Sequence, residues 1–350
     1  MAVSPWHQAL WRSLQLRPQG IPSSTLLVGK QGTGVLNLGM ELARLLLCDA
    51  GGSDGPCTTC TSCRMCERAA HPDLHVVSTE EAEETGDLRF RSHSIRYAEE
   101  DSTKRARRTT VRSIITVDQI RAVTDALNKT PGLGSSKVCL IYPANALNLN
   151  AANALLKSLE EPTSGTYFLL LSSFPGSLPP TIRSRCSRLD LDDPTSEESI
   201  EWLTTEHKVD FSVAQQLITH GLGPYQVLQM NTREQLDAHQ ELIEGLANLV
   251  SGKLSAGAFT RQRGMYDIGC TLKVIQSEIY RGLKESVRPD HDADVPVLIS
   301  PNVALEFREV LFSVYFEIGR FLSWPKKSVD EQLFLEDIAF KLSFREPSGA

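Results

Sequence analysis

The 350-residue sequence predicts an α/β module at the front of the chain and an all-helical region behind it. Three observations carry that expectation. Strand-like apolar runs alternate with helix-like segments as far as residue 188, the pattern of a parallel sheet covered by helices. A glycine-rich stretch, LLVGKQGTGVLNLG at 26–39, joins the first such strand to the first such helix. Beyond Arg188 the character changes, and from the linker onward only helical periodicity is left.

The strand candidates are Thr25–Val28, Leu74–Val77, Val138–Tyr142 and Tyr167–Leu171. Between them the helix candidates are Leu38–Cys48, Val117–Asn128 and Asn150–Glu161. The last is the clearest. Asn148 or Asn150 can cap it, apolar positions recur at 149, 152, 155/156 and 159, and Pro162 stops it. From 78 to 112 the pattern breaks into a polar stretch, acidic first and basic last, which reads as a solvated, partly disordered insertion. A docking or DNA-touching role for Lys104, Arg105, Arg107 and Arg108 is the alternative.

Asp190, Asp192, Asp193 and Pro194 read as a short linker, and Thr195 with Glu198 as a capping box that opens a helix. The helical signals that follow are Ser212–His220, Arg233–Val250, Tyr266–Val287, Val303–Leu322 and Val329–Leu342. Gly221–Pro224 and Gly252–Gly257 supply breaks. The expected organisation is an α/β domain at 1–190, a small helical domain at 191–233 and a larger helical bundle at 234–350.

Composition narrows the function. Hydrophobic residues make up 41% of the chain, and no apolar run approaches the roughly 20 residues that span a bilayer. The opening MAVSPWHQALWRSLQ lacks a basic stretch followed by an apolar core, so no secretory signal is expected and the cytoplasm is the expected compartment. A formal net charge of -7 argues against a generally basic, nucleic-acid-binding surface. Eight cysteines in a chain without an export signal are not expected to form a disulfide framework.

The phosphate-binding pattern G-x-x-x-x-G-K-[ST] fits Gly29, Gly32 and Gly34 as a frame. Laid over 29–36, however, it finds Val35 at the lysine and Leu36 at the hydroxyl. Lys30 follows the first glycine directly and cannot act from the helix start. Hydrolysis on such a fold also needs an acid on a later strand to hold magnesium. VCLIY at 138–142 runs into Pro143-Ala144-Asn145, and the nearest downstream carboxylates are Glu160 and Glu161. Two independent losses point to a scaffold turn, although backbone N–H groups can still face a phosphate without a lysine.

Cys57, Cys60, Cys63 and Cys66 make three successive C-x2-C steps, with Cys48 nine residues upstream of the first. A tetrahedral zinc site takes four thiolates, each about 2.3 Å from the ion. Four ligands from one ten-residue run would wrap very tightly; Cys48, Cys57, Cys60 and Cys63 close a larger loop and leave Cys66 spare. An iron–sulfur run C-x2-C-x2-C-x3-C-P fails at Glu67, and unmetallated thiols are the third reading. A closed four-cysteine site has no open position, so its expected role is structural.

Three stretches, AANALLKSLEEP (151–162), TYFLLLSS (166–173) and LPPTIRSRC (178–186), closely resemble the clamp-loader subunits of the AAA+ class. Within that class the resemblance is to the delta-prime family of bacterial DNA polymerase III. HPDLHVV (71–77), ITVDQIRAV (115–123) and the C-x8-C-x2-C-x2-C spacing agree with it. The match is dense from residue 24 to 188 and only architectural beyond. It implies an AAA+ P-loop-type module at 1–190 with an inserted zinc module at 48–66 and the charged insertion at 78–112. A helical lid at 191–233 and a C-terminal helical collar at 234–350 would follow.

In that family the ATPase subunits, gamma and tau, keep a lysine-threonine loop and an acidic strand end, and delta-prime subunits commonly lack them. The departures at Val35, Leu36, Tyr142 and Pro143 therefore favour a subunit with no intrinsic activity within a DNA-directed DNA polymerase holoenzyme. No sensor arginine stands beside Gly223-Pro224, where the chain has Tyr225 and Gln226. The SRC motif implies that Arg185 reaches into a neighbour's ATP site, with Ser184 and Cys186 positioning the turn; Arg183 has no comparable claim. The implied partners are gamma/tau and delta subunits in a hetero-oligomeric ring, with the sliding clamp and primed DNA reached through the complex, and no membrane. Zinc is the implied structural cofactor. Two other classes compete: a divergent P-loop ATPase with its own turnover, and a nucleic-acid-binding protein built on the cysteine knuckle and the basic end of the insertion.

Overall fold

The structure, a computed structural model, describes residues 3–15, 20–50, 55–85, 88–97, 112–230, 232–262, 268–288, 295–323 and 330–343. They fall into two compact units, Met1–Pro194 and Thr195–Ala350.

The first unit is built on a five-stranded sheet in the order β2-β3-β4-β1-β5. Its strands are β1 (Ser24–Val28), β2 (Leu74–Ser78), β3 (Lys137–Tyr142), β4 (Thr166–Ser172) and β5 (Ser187–Asp190). All pairings are parallel, and Leu26 at the centre faces Leu170 on one side and Arg188 on the other. The helices are α1 (Gln8–Gln15), α2 (Val35–Leu47), α3 (Thr61–Glu67), α4 (Glu80–Thr85), α5 (Leu88–Ser94), α6 (Val117–Leu127), α7 (Leu149–Glu160) and α8 (Pro180–Arg183). Strand side chains alternate between two faces, and both faces are covered, so the inner strands read as unbroken apolar runs. Leu26, Cys139, Ile141, Phe168 and Leu170 join Ile120, Val123, Leu155 and Leu159 of α6 and α7 in one core. Leu27, Leu140, Leu169 and Leu171 join Leu38 and Leu42 of α2, Trp11 of α1 and Phe90 of α5 in the other.

Local chemistry fixes the element ends. Asn148, not Asn150, caps α7, its Oδ1 accepting from the Ala151 N–H at 2.8 Å. The helix closes at Glu160, two residues before Pro162. Gly39 lets α2 lie close on β4, since an added Cβ would stand 2.5 Å from Leu171 Cδ2.

Two expectations change. The stretch from Asp190 to Pro194 is not all linker, because Asp190 ends β5 and the Leu191 N–H donates to Val28 O at 2.7 Å. Leu189 and Leu191 turn into the core while Asp190 between them faces outward, an alternation too short to stand out in sequence. The expected solvated insertion at 78–112 is ordered in its front half. Ser78 completes β2, α4 and α5 follow, and a 3₁₀ turn covers Ile95–Tyr97. A single aromatic, Phe90, is fully buried in the α2-side core, and His93 and Ser94 are buried with it. Far along the chain, the Arg112 N–H donates to Glu80 Oε2 at 2.9 Å. Lys104, Arg105, Arg107 and Arg108 lie outside the described residues.

The second unit is helical throughout its described residues. Its helices are α9 (Ser196–Thr205), α10 (Phe211–Thr219), α11 (Pro224–Gln229), α12 (Arg233–Val250), α13 (Ala256–Gln262), α14 (Ile268–Val287), α15 (Pro301–Glu306), α16 (Arg308–Ser323) and α17 (Glu331–Leu342). The capping box expected before α9 is formed: the Glu198 N–H donates to Thr195 Oγ1 at 3.1 Å and the Thr195 N–H to Glu198 Oε2 at 2.8 Å. The helix expected at Val303–Leu322 is divided at Phe307, whose backbone leaves the helical region (φ −101°, ψ 24°). The short α15 lies against α14 and buries Ala304. Tyr225 packs on Trp202 with ring centroids 5.0 Å apart, and Gln226 Oε1 accepts from the Gly223 N–H at 3.1 Å. No helix of the described residues is long and apolar enough to cross a membrane.

Candidate functional site

The glycine loop leaves β1 at Val28 and enters α2 at Val35. Gly32 and Gly34 hold φ of 84° and 100°, a left-handed backbone that side chains disfavour, and Gly34 caps α2. At Gly29 a Cβ would meet Val35 Cγ2 at 2.9 Å and Leu191 Cβ at 3.1 Å. The loop is tied internally: the Thr33 N–H and hydroxyl both donate to Lys30 O, at 3.3 and 2.8 Å. Trp6 Nε1 donates to Thr33 O at 2.8 Å, so the turn Pro5–His7 covers the loop.

Val35 is 4% exposed and belongs to the α2-side core, with Leu36 packed against the same cluster. Lys30 points elsewhere, its ammonium 2.6 Å from Asp193 Oδ2. His7, near Asp192 and Asp193, is buried, and burial pushes its pKa down to about 4 against the pull of those two carboxylates. At the end of β3 stands an amide: Ser172 Oγ donates to Asn145 Oδ1 at 3.2 Å.

Arg185 lies just past α8. That short helix starts at Pro180, a residue whose fixed φ suits a first turn, and is pinned by the fully buried Ile182. Ser184 closes it, its Oγ donating to Thr181 O at 3.2 Å. Cys186 turns into the core beside α6 and α7, where burial raises its thiol to about 11. Between those anchors Arg185 Nε donates to Glu160 Oε1 at 2.6 Å and Nη1 to Thr181 O at 3.0 Å. Its Nη2 pairs with the same Glu160 oxygen. Arg183, two residues earlier, is exposed.

The cysteine knuckle is assembled from three pieces. Cys48 follows the last residue of α2, Cys57 and Cys60 lie on the turn, and Cys63 is in the first turn of α3. All four Sγ atoms lie within 4.8 Å of one another. Cys57 Sγ and Cys63 Sγ stand 4.0 Å apart, close to the ~3.8 Å edge of a tetrahedron with 2.3 Å zinc–sulfur bonds. Backbone N–H groups point at the sulfurs, each at 3.3 Å: Cys57 N to Cys48, Cys60 N to Cys57 and Cys63 N to Cys60. Such bonds favour thiolates, and those from the 60 and 59 amides lower the Cys57 thiol to about 6. The donor set fits a four-thiolate metal centre. Cys66 is outside it, packed at 3% exposure in the α2-side core. Arg44, buried one turn before Cys48, grips both Glu41 oxygens at 3.1 Å.

Several of these contacts were beyond reach of the sequence. Trp6 meets Thr33 across 27 residues and Arg185 meets Glu160 across 25, with no periodicity linking either pair. Glu160 stood out only as a carboxylate too far from β3 to hold magnesium.

A family model described as DNA polymerase III, delta subunit, matches residues 7–195. The DNA polymerase III subunit delta' of Pseudomonas aeruginosa is 33% identical over 73% of this chain and 69% of its own length. That of Haemophilus influenzae is 30% identical over 70% of this chain and 63% of its own length. A subunit tau from Salmonella typhimurium is 25% identical over 73% of this chain and 34% of its own. The chain therefore spans about two thirds of the length of these delta' relatives. Parallel sheet, glycine loop and cysteine knuckle together define an α/β protein of nucleotide-loop design with an inserted four-cysteine module. The chain belongs to the delta-prime subunit family of DNA polymerase III, a clamp-loader family.

Proposed function

We propose that this chain is a clamp-loader subunit that hydrolyses no nucleotide of its own and completes a neighbouring subunit's ATP site with Arg185, so that the sliding clamp is loaded onto primed DNA. The observation that carries the reading is Val35. Its side chain fills the core at the loop–helix junction, where a phosphate-binding lysine would have to start. The amide of Asn145 after β3, in place of a carboxylate, supports it independently. With neither cation nor acid, the loop serves as a turn that holds β1 and α2 together.

Arg185 supplies the positive half. A planar, permanently charged guanidinium aimed at the gamma-phosphate offsets the negative charge that grows on the equatorial oxygens during transfer. Ser184 and Cys186 fix the turn that carries it. On this reading residues 1–190 are an AAA+ module, 191–233 a lid and 234–350 a collar. The ring partners are gamma/tau and delta subunits, and the compartment is the cytoplasm. Zinc bound by Cys48, Cys57, Cys60 and Cys63 would cross-link the end of α2 to α3, with no open position for chemistry.

ATP turnover by the purified chain tests the silent half. No hydrolysis above background is expected, with or without primed DNA. A rate that copurifies with the chain and disappears in Gly34→Val would overturn the reading.

A further inference from the structure

Arg185 makes three contacts with two acceptor atoms of its own chain, and Glu160 occupies the side edge of its guanidinium, Nε and Nη2. The group carries five N–H donors in a rigid plane. Glu160 Oε1 takes the Nε donor at 2.6 Å and pairs with the charge on Nη2, and Thr181 O takes one donor from Nη1 at 3.0 Å. The remaining donors are all on the two terminal nitrogens. One N–H from each terminal nitrogen makes the end-on edge of such a fork, which matches two oxygens of one phosphate.

The acceptors are themselves anchored. Glu160 ends α7, whose Ala152, Leu155 and Leu159 are in the core, and Thr181 sits beside the buried Ile182. The Arg185 side chain is 30% exposed and the Glu160 side chain 48%, so the pair stands at the surface. An isolated ion pair this exposed contributes little to folding. Three contacts on one guanidinium, by contrast, remove the rotamer freedom that a long side chain otherwise carries into a reaction.

We propose that Glu160 is the positioning residue for Arg185: its carboxylate fixes the side edge of the guanidinium so that the end-on edge faces a neighbour's phosphate. This inference rests on the proposed reading of Arg185 as an arginine finger that completes a neighbour's ATP site. Glu160 does not touch the nucleotide; it acts through Arg185 alone. Losing it therefore lowers turnover without changing how ATP is bound.

The test is a double-mutant cycle in the reconstituted clamp-loader complex, reading kcat and KM of DNA-stimulated ATPase. The Arg185-dependent share is what Arg185→Ala removes. Glu160→Ala is expected to lower that share about fivefold with KM for ATP unchanged, and Glu160→Gln, still an acceptor, to recover about half of it. The double variant should equal Arg185→Ala. Additive losses, a raised KM, or full activity in Glu160→Ala beside a damaged Arg185→Ala would overturn the positioning role and leave the finger intact. No effect of Arg185→Ala would instead remove the finger reading itself. Gel filtration of each complex separates these outcomes from failed assembly, and Glu160→Gln provides the measurement if the alanine variant does not assemble.

Discussion

Cys48 and Cys66 have the same chemistry and different surroundings. The sulfur of Cys48 faces the Cys57 N–H and three other thiols. Cys66 is buried among apolar side chains of the α2-side core. A metal therefore gains from the first and not from the second. Purified chain is expected to hold about one zinc; Cys66→Ser should keep it and Cys48→Ser should lose it. Metal analysis that finds the reverse would transfer the fourth ligand to Cys66. At this scale the spacing of the cysteines carried much of the geometry, because C-x2-C turns bring sulfurs together whatever the fold around them. The Arg185–Glu160 pair had no such local rule, since two helices have to pack before those residues meet.

At the scale of elements, the joint between α10 and α12 holds two buried histidines. His220, capping α10, and His239 on α12 are each 2% exposed, with Nδ1 of the first 2.9 Å from Nε2 of the second. Burial lowers their pKa values to about 3 and about 4, from 6.5, with the charges of His239 and Arg281 adding to the effect on His220. Because the folded values lie below the unfolded one, the unfolded chain binds protons first. Stability is complete above pH 6.5 and is lost as pH falls toward 4. The slope is about 1.4 kcal/mol per pH unit per histidine, so going from pH 7 to 5 costs at most about 2 kcal/mol for each. Denaturant titration at the two pH values should show that loss, and His239→Gln should reduce it. Equal stability at pH 5 and 7 would contradict the burial of neutral imidazoles. Hydrophobic periodicity located both helices, Arg233–Val250 to the residue. It could not reveal that two polar side chains would be turned inward to face each other. The same limit hid β5, where only Leu189 of four residues is buried.

Across the whole molecule, the first unit keeps the frame of a phosphate loop without its lysine, and the proposed working part is Arg185 at the SRC turn. The loop that would hold phosphate is packed with Val35, and the half-buried Arg185 of the SRC turn is held by Glu160 and Thr181. A net charge of -7 is consistent with a chain that reaches DNA through partners rather than through a basic surface of its own. The central claim is that this chain serves another subunit's nucleotide. It is tested most directly by DNA-stimulated ATPase of the reconstituted complex containing either the wild-type chain or Arg185→Ala. The account predicts an intact complex in which turnover at the adjoining site falls by about tenfold or more. An Arg185→Ala complex that assembles and hydrolyses ATP at the wild-type rate would contradict it.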